Sequence, residues 1–351
     1  MIASGIIPHS KPNLGLEEIA AVSDVMKSEQ IAQGPEVERF EEEIAQWVGV
    51  KGAVAVSSGT AALHLGLLGL GIGSGDEILL PSYVCTALLN AINYIGATPR
   101  LVDIDRDSFN IDVLGVKKAI SKRSKAIIVP HIFGLPADLE GLLSLDLPII
   151  EDCAHSLGAS YRGKLIGGFG VFSFVSFYAT KLMTTGEGGM LLTNSSRLLK
   201  SVKRLRENDQ KARYRLSFNH KMTDIQAAMG RIQLKRLPGF LARRRTLAKQ
   251  YHQALSSLPI ERPIEFPDRS HCYYRYVIKV KRGVEHYLDQ FKKFGISCCR
   301  PIYQPLHRYL RQTGFPQTDR VFQEALSLPL YPSLSDAEAE AILAAAKLVL
   351  K

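Results

Sequence analysis

Cysteine and unbroken apolar runs are both scarce in this sequence. Of its 351 residues five are cysteines: Cys85, Cys153, Cys272, Cys298 and Cys299. An odd number at irregular spacing argues against a disulfide framework and against a paired CxxC metal site. The adjacent Cys298 and Cys299 read as two buried thiols, since free cysteine behaves as a small hydrophobe. No apolar run reaches the roughly 20 residues of a membrane helix. The opening Met1-Ile-Ala-Ser-Gly-Ile-Ile-Pro is too short, and too soon broken by proline, for a secretory signal. No zinc-finger or RNA-binding signature is present. These absences predict a cytoplasmic protein with no metal, membrane or nucleic-acid partner.

What is present is ordinary for a globular chain, apart from a formal net charge of +10. Much of the excess lies in residues 197–215 and 231–245. In the second run the apolar residues Ile225, Met229, Ile232 and Leu237 recur at helical spacing, so its arginines read as the wet face of a packed helix. A basic surface also suits an anionic, phosphorylated substrate.

Length predicts two domains. Short apolar runs, Ala53–Val56, Glu77–Leu80, Thr98–Val102, Lys125–Val129 and Leu147–Ile150, alternate with helical stretches such as Glu36–Val48 and Thr60–Leu70. Alternation of this kind predicts an α/β fold with a mostly parallel sheet. Later come a helix over Ser195–Glu207, a long helix from Thr223 interrupted at Pro238-Gly239, a half-exposed antiparallel strand over Tyr273–Lys281, and an alanine-rich helix over Ser335–Leu350. The boundary falls between a large domain, 1–237, and a smaller α+β domain, 238–351.

Three segments carry chemistry. Ser57-Ser58-Gly59-Thr60-Ala61-Ala62 follows a strand and opens a helix. It is either a phosphate cradle, with free N–H groups at a helix start, or a helix capped by Ser58. Glu151-Asp152-Cys153-Ala154-His155 sets two carboxylates at the carboxyl end of a buried strand, where doubly wound sheets bind ligands. A carboxylate there either pairs with a cationic ring nitrogen or is satisfied by backbone donors. Finally, Lys181 lies in Ser176-Phe-Tyr-Ala-Thr-Lys-Leu-Met-Thr-Thr-Gly-Glu-Gly-Gly189, amid aromatic, apolar and small residues. Such surroundings desolvate an amine and suit it to Schiff-base chemistry.

The string around Lys181 resembles the cofactor-lysine motif of the DegT-type sugar aminotransferases. These are fold-type I pyridoxal 5′-phosphate (PLP) enzymes, similar to aspartate aminotransferase. Other landmarks match in order: Gly34-Pro35 with Phe40-Glu41, Ser58 to Leu63, Gly75-Asp76-Glu77, Glu151 to His155, Asn219 with Gln226-Ala227-Ala228, Arg300-Pro301 to His307, and Leu328-Pro329-Leu330-Tyr331-Pro332. The resemblance implies that Lys181 attaches PLP and moves protons. It implies that Asp152 pairs with the pyridinium nitrogen and that His155 lies near the phenolic oxygen. Gly59, Thr60 and Ser176 would hold the phosphate. Asn219 would reach the phosphate of a neighbouring subunit in a homodimer with shared active sites. His307 would lie in a segment lining the sugar site. The implied reaction moves an amino group from an amino-acid donor, L-glutamate, to a nucleotide-diphosphate keto-sugar. A keto-cyclitol acceptor is the alternative. A sugar dehydratase of the family would carry histidine in place of Lys181, and a PLP-binding regulator would not need the Lys181–Asp152 pair. Two departures stand out. Cys85 occupies the position of the usual aromatic ring over PLP, unless Tyr83 takes that place. Ser217 and Lys221 replace the usual glycine and arginine beside Asn219, which bears on substrate binding because lysine does not reproduce a bidentate arginine.

Overall fold

A computed structural model describes residues 5–208 and 214–351. Seven strands form one sheet, in the spatial order Gly52–Val56, Gly189–Thr193, Phe172–Ser176, Ile149–Asp152, Ser124–Pro130, Glu77–Pro81 and Thr98–Val102. All neighbours are parallel except Gly189–Thr193, which opposes both strands beside it. The mostly parallel α/β sheet is therefore as expected. Phe172–Ser176 and Gly189–Thr193 went unread as strands, because each is a five-residue run beside the glycine-rich lysine segment and too short to show a period of its own.

Strand alternation divides the side chains between two helical layers. Val54 and Val56 enter one apolar cluster with Leu63, Ile78 and Phe172. Ala53 and Ala55 enter another with Phe40, Val175 and Met190. Helix ends follow local chemistry. Pro35 opens the helix Pro35–Val48 and Gly49, in the left-handed region at φ 83°, closes it. Thr223 with Gln226, and Ser335 with Glu338, form capping boxes at the starts of Asp224–Ala254 and Asp336–Val349.

The predicted interruption at Pro238-Gly239 does not occur: Asp224–Ala254 is one helix of 31 residues. Both residues are exposed, while Leu234, Leu237, Leu241, Leu247 and Tyr251 keep one buried face running past them. The proline ring thus lies on the wet side, and the buried face that holds the helix in place is not interrupted. A separate apolar cluster joins the end of this helix to the C-terminal segment through Tyr251, Tyr276, Phe291, Leu326, Leu328 and Ile342, with Ile7 from the N-terminus. Its sheet pairs Tyr276–Lys279 antiparallel with Ala325–Leu328. This strand is buried throughout rather than half-exposed. Lys279 accounts for the difference, because its amine turns to Asp107 at 3.2 Å, Glu261 at 3.1 Å and the Arg106 carbonyl at 3.0 Å.

The arginines of the long helix are not simply a solvated face. Arg231 pairs with Glu36 and Glu43, and Arg236 with Glu18. Arg244 is only 2% exposed and donates to the carbonyls of Tyr273, Tyr274 and Leu330 at 2.9–3.2 Å. Replacing it by methionine keeps volume but leaves three buried carbonyls unmet, at about 1–3 kcal/mol each before relaxation. Arg244→Met should therefore lower the denaturation midpoint by more than a surface substitution does. An unchanged urea midpoint would show that these carbonyls find other donors.

Gly52–Val56 is an edge strand. On its open side the Ala55 N–H donates to Glu41 at 2.9 Å and Arg206 donates to the Ala55 carbonyl at 2.9 Å. Glu41 and Arg206, both buried, pair with each other at 2.6 Å.

Candidate active site

The parallel strands Ile149–Asp152 and Phe172–Ser176 run side by side, Asp152 opposite Phe174. Their carboxyl ends bring Asp152 and Ser176 to one edge of the sheet, beside the start of helix Gly59–Gly69. A β-carbon on Gly59 would lie 3.0 Å from that of Ser176 and 3.4 Å from the Val175 carbonyl. Only glycine allows this approach without displacement. Ser58 caps the helix by accepting the Ala61 N–H at 3.1 Å, and the first N–H groups of a helix lack intrahelical acceptors.

Alternation separates the two adjacent carboxylates. Glu151 is wholly buried and accepts N–H bonds from Gly167 at 2.8 Å, Phe169 at 2.7 Å and Gly170 at 2.9 Å. His131 accepts the Ala137 N–H at Nδ1, so its Nε2 carries the hydrogen that it shares with Glu151 at 3.2 Å. Burial acts to raise the Glu151 pKa, but the His131 bond and these backbone donors outweigh it and hold it below the ordinary value. Glu151 is thus a structural acid. Asp152 is buried too, yet accepts only the Ala154 N–H, at 2.9 Å, among the described residues. Burial raises its pKa, and the Ala154 bond and the charges of Lys181 and His131 offset this only in part. A buried carboxylate with spare acceptor capacity fits a cationic N–H partner.

The Lys181 amine is half-buried and lies 5.2 Å from the centre of the Tyr274 ring. The other face of this assembly is aromatic. His155 stacks on Tyr274 at 4.3 Å between ring centres and on Phe133 at 6.3 Å. Burial first, then the Lys181 and Arg275 charges, hold His155 well below the usual imidazole range, so the ring is neutral.

Tyr274 and Arg275 were not anticipated as site residues, because Tyr273 to Lys281 was read only as a strand pattern. They reach the site by docking on the loop that follows strand Ser124–Pro130, at the same carboxyl end of the sheet as Asp152. Phe133 takes a left-handed conformation at φ 56° and Gly134 follows at φ 101°. The Gly134 carbonyl accepts the Cys272 N–H at 3.0 Å, and the Phe133 carbonyl the Arg275 N–H at 3.3 Å. A β-carbon on Gly134 would fall 2.6 Å from the Cys272 sulfur, so the docking itself requires glycine.

A model of the DegT/DnrJ/EryC1/StrS aminotransferase family matches residues 12–347. The chain belongs to this family. As a DegT/DnrJ/EryC1/StrS aminotransferase it is a PLP-dependent sugar aminotransferase with the α/β fold of these enzymes. It is 35% identical to the spore coat polysaccharide biosynthesis protein SpsC of Bacillus subtilis, over 98% of this chain and 97% of that one. Among solved structures, the aminotransferase TlmJ of Streptoalloteichus hindustanus superposes with a TM-score of 0.94 at 31% identity, covering 98% of this chain and 99% of the other. Spr1654 of Streptococcus pneumoniae, solved in a PLP form, gives 0.92 at 27% identity, covering 99% and 100%.

This DegT/DnrJ/EryC1/StrS member has residues that fit PLP: a cradle that a β-carbon at Gly59 would fill, a buried acid with spare acceptors at Asp152, and an amine at Lys181. Cys85 occupies the N-cap position of the helix Thr86–Tyr94 and is exposed. Desolvation by the surrounding protein, then the Asp152 charge, raises its thiol pKa. Tyr83 does not take over the stacking position. It is fully buried, stacked on Phe109 at 6.1 Å and edge-on to Phe133 at 6.3 Å.

His307 is 3% exposed and both its ring nitrogens are engaged, Nδ1 with Ser82 at 2.7 Å and Nε2 with Asp319 at 3.3 Å. It also stacks on Phe315 at 4.8 Å. This histidine fastens its segment to the end of strand Glu77–Pro81 and leaves no free ring nitrogen for a sugar. Tyr303, 87% exposed in the same segment, is accessible instead. Asn219 is exposed and Lys221 half-buried; between them the His220 carbonyl accepts the Ser57 N–H at 2.9 Å, beside the Gly59 turn. No helix among the described residues is long and apolar enough to cross a membrane.

Proposed function

We propose that the chain moves an amino group from L-glutamate to a keto-sugar carried on a nucleoside diphosphate. The observation that carries this reading is a buried, under-partnered Asp152 at the strand ends, lying within the field of the Lys181 amine. Bound PLP supplies an electron sink through its protonated ring nitrogen. In this reading Asp152 holds the proton on that nitrogen. The Gly59, Thr60 and Ser176 turn binds the phosphate, and Cys85 and His155 flank the ring. Lys181 would hold the cofactor, and its amine is the group that would take up and return the substrate's proton. The Tyr274, His155 and Phe133 wall keeps water from that amine.

The name of the Bacillus subtilis relative supports a polysaccharide precursor as acceptor. Lys221, in place of the family's arginine, favours a keto-cyclitol as the second reading. The proposal includes a homodimer whose sites are shared through the exposed Asn219, and a division into domains 1–237 and 238–351, for which the separate C-terminal apolar cluster is the support.

A single-turnover assay tests the acceptor. Protein loaded with pyridoxamine phosphate is mixed with a panel of nucleotide keto-sugars and keto-cyclitols. The absorbance of lysine-bound cofactor should return with a nucleotide keto-sugar; return with keto-cyclitols alone would select the second reading. Co-expression of Lys181→Ala with Asn219→Asp chains tests sharing. Mixed dimers should regain one intact site, and mixed dimers without activity would refute it.

A further inference from the structure

Near Lys181 lie hydrogen-bond donors that nothing accepts. The Tyr83 hydroxyl, Nε of Arg275 and Nη1 of Arg300 are all buried and without a partner among the described residues. They lie on connected residues: Arg275 Nη1 meets the sulfur of Cys299, the chain neighbour of Arg300, at 3.0 Å, and the Tyr83 ring packs edge-on at 6.3 Å against Phe133, whose carbonyl accepts the Arg275 N–H. Arg275 makes no ion pair with a carboxylate among the described residues. Its Nη1 meets the Cys299 sulfur at 3.0 Å and His9 at 3.5 Å. Burial, then Arg275 and Arg244, hold His9 down to about 3, so it brings no counter-charge of either sign. Arg300 does pair with Glu285 through Nη2, which leaves Nη1 turned inward. Enclosed donors of this kind, two of them cationic, are costly unless an anion meets them.

The Arg275 guanidinium carbon lies 5.3 Å from the centre of the Tyr274 ring, and the Lys181 amine 5.2 Å from the same centre. The two cations therefore lie no farther apart than those two distances laid end to end. A molecule reacting through an amine at Lys181, with a carboxylate one short chain away, spans Tyr274 and reaches Arg275. Paired guanidinium groups favour a planar, two-oxygen acceptor. Tyr274 is itself biased by this field. Burial acts to raise its hydroxyl, but the Lys181 and Arg275 charges outweigh burial and hold it below the ordinary phenol range.

We propose that Arg275, Tyr83 and Arg300 form the subsite that binds a carboxylate of the amino-acid donor. The inference rests on the reading that the donor is an amino acid. It accounts for the missing counter-ion with a group that arrives and leaves in each cycle.

The test uses PLP-loaded enzyme and measures the two half-reactions separately. Arg275→Met should raise the half-saturating L-glutamate concentration about 30-fold or more. Tyr83→Phe should raise it about tenfold. The keto-sugar half-reaction should stay within about threefold for both. Calorimetric titration with glutarate, a dicarboxylate that carries no amine, should show the same weakening. Tyr83→Phe removes a hydroxyl that has no partner, so its melting temperature should equal or exceed that of the unmutated protein. This keeps the test sound if Arg275→Met folds poorly. A rise confined to the keto-sugar half-reaction would give these donors to the acceptor's diphosphate and overturn the proposal. Unchanged glutamate and glutarate binding in both variants would overturn it as well. If the unmutated enzyme accepted no amino acid at all, the reading of its function would fail; glutarate binding would then still decide whether the site takes carboxylate.

Discussion

In Lys181→Ala protein, borohydride should fix no PLP to the chain, and amino transfer should fall by at least about 10⁴-fold, the combined loss of attachment site and proton carrier. Peptide mapping of the reduced, unmutated protein should place the label on the peptide containing Lys181. The nearest rival is Lys279, the one lysine among the fully described buried residues. Its amine is committed to Asp107, Glu261 and the Arg106 carbonyl, and desolvating it further would break those contacts. Among the described residues Lys181 makes no ion pair with an acid and faces an aromatic ring, so its amine is available for exchange. A labelled peptide that lacks Lys181 would sink the assignment.

Asp152→Asn should retain PLP, seen in its absorbance spectrum, while amino transfer falls at least about a hundredfold, as for loss of a preorganised electrostatic group. The amide keeps the size of the side chain and can still accept the Ala154 N–H. What it removes is the negative charge that, on the proposed reading, holds a proton on the cofactor's ring nitrogen. Glu151→Gln makes the informative contrast. Its carboxylate serves three backbone N–H groups and His131, so that change should appear chiefly in the melting temperature. Wild-type turnover by Asp152→Asn would mean that the strand end does something else.

The two neighbouring acids illustrate how far sequence alone could go. Their place at the end of a buried strand was legible, and so were the lysine segment and the Gly59 turn, because each rests on contacts close along the chain. Which acid faces the site depended on the sheet, where alternation sends Glu151 toward Gly167 to Gly170 and Asp152 toward Lys181. Arg244 was misread for the same reason. A helical period marks a buried face, but it does not say that a guanidinium on its margin will turn inward to three carbonyls. Tyr274 and Arg275 were invisible as site residues because a contact between Gly134 and Cys272 brings them there. The motif residues Gly34 and Glu41 also gained meaning only in three dimensions. Asp224, at the start of the long helix, accepts the Gly34, Glu36 and Val37 N–H groups.

Glu41 returns the discussion to the open edge of the sheet. A bare edge strand is a template on which another chain can add itself. Here the carboxylate and the Arg206 guanidinium occupy the donor and acceptor of Ala55 as a neighbouring strand would, and they are buried while doing so. They act as a two-residue imitation of a missing strand. At this edge another copy of the enzyme therefore finds the Ala55 groups already taken, which blocks there the first step toward a fibre.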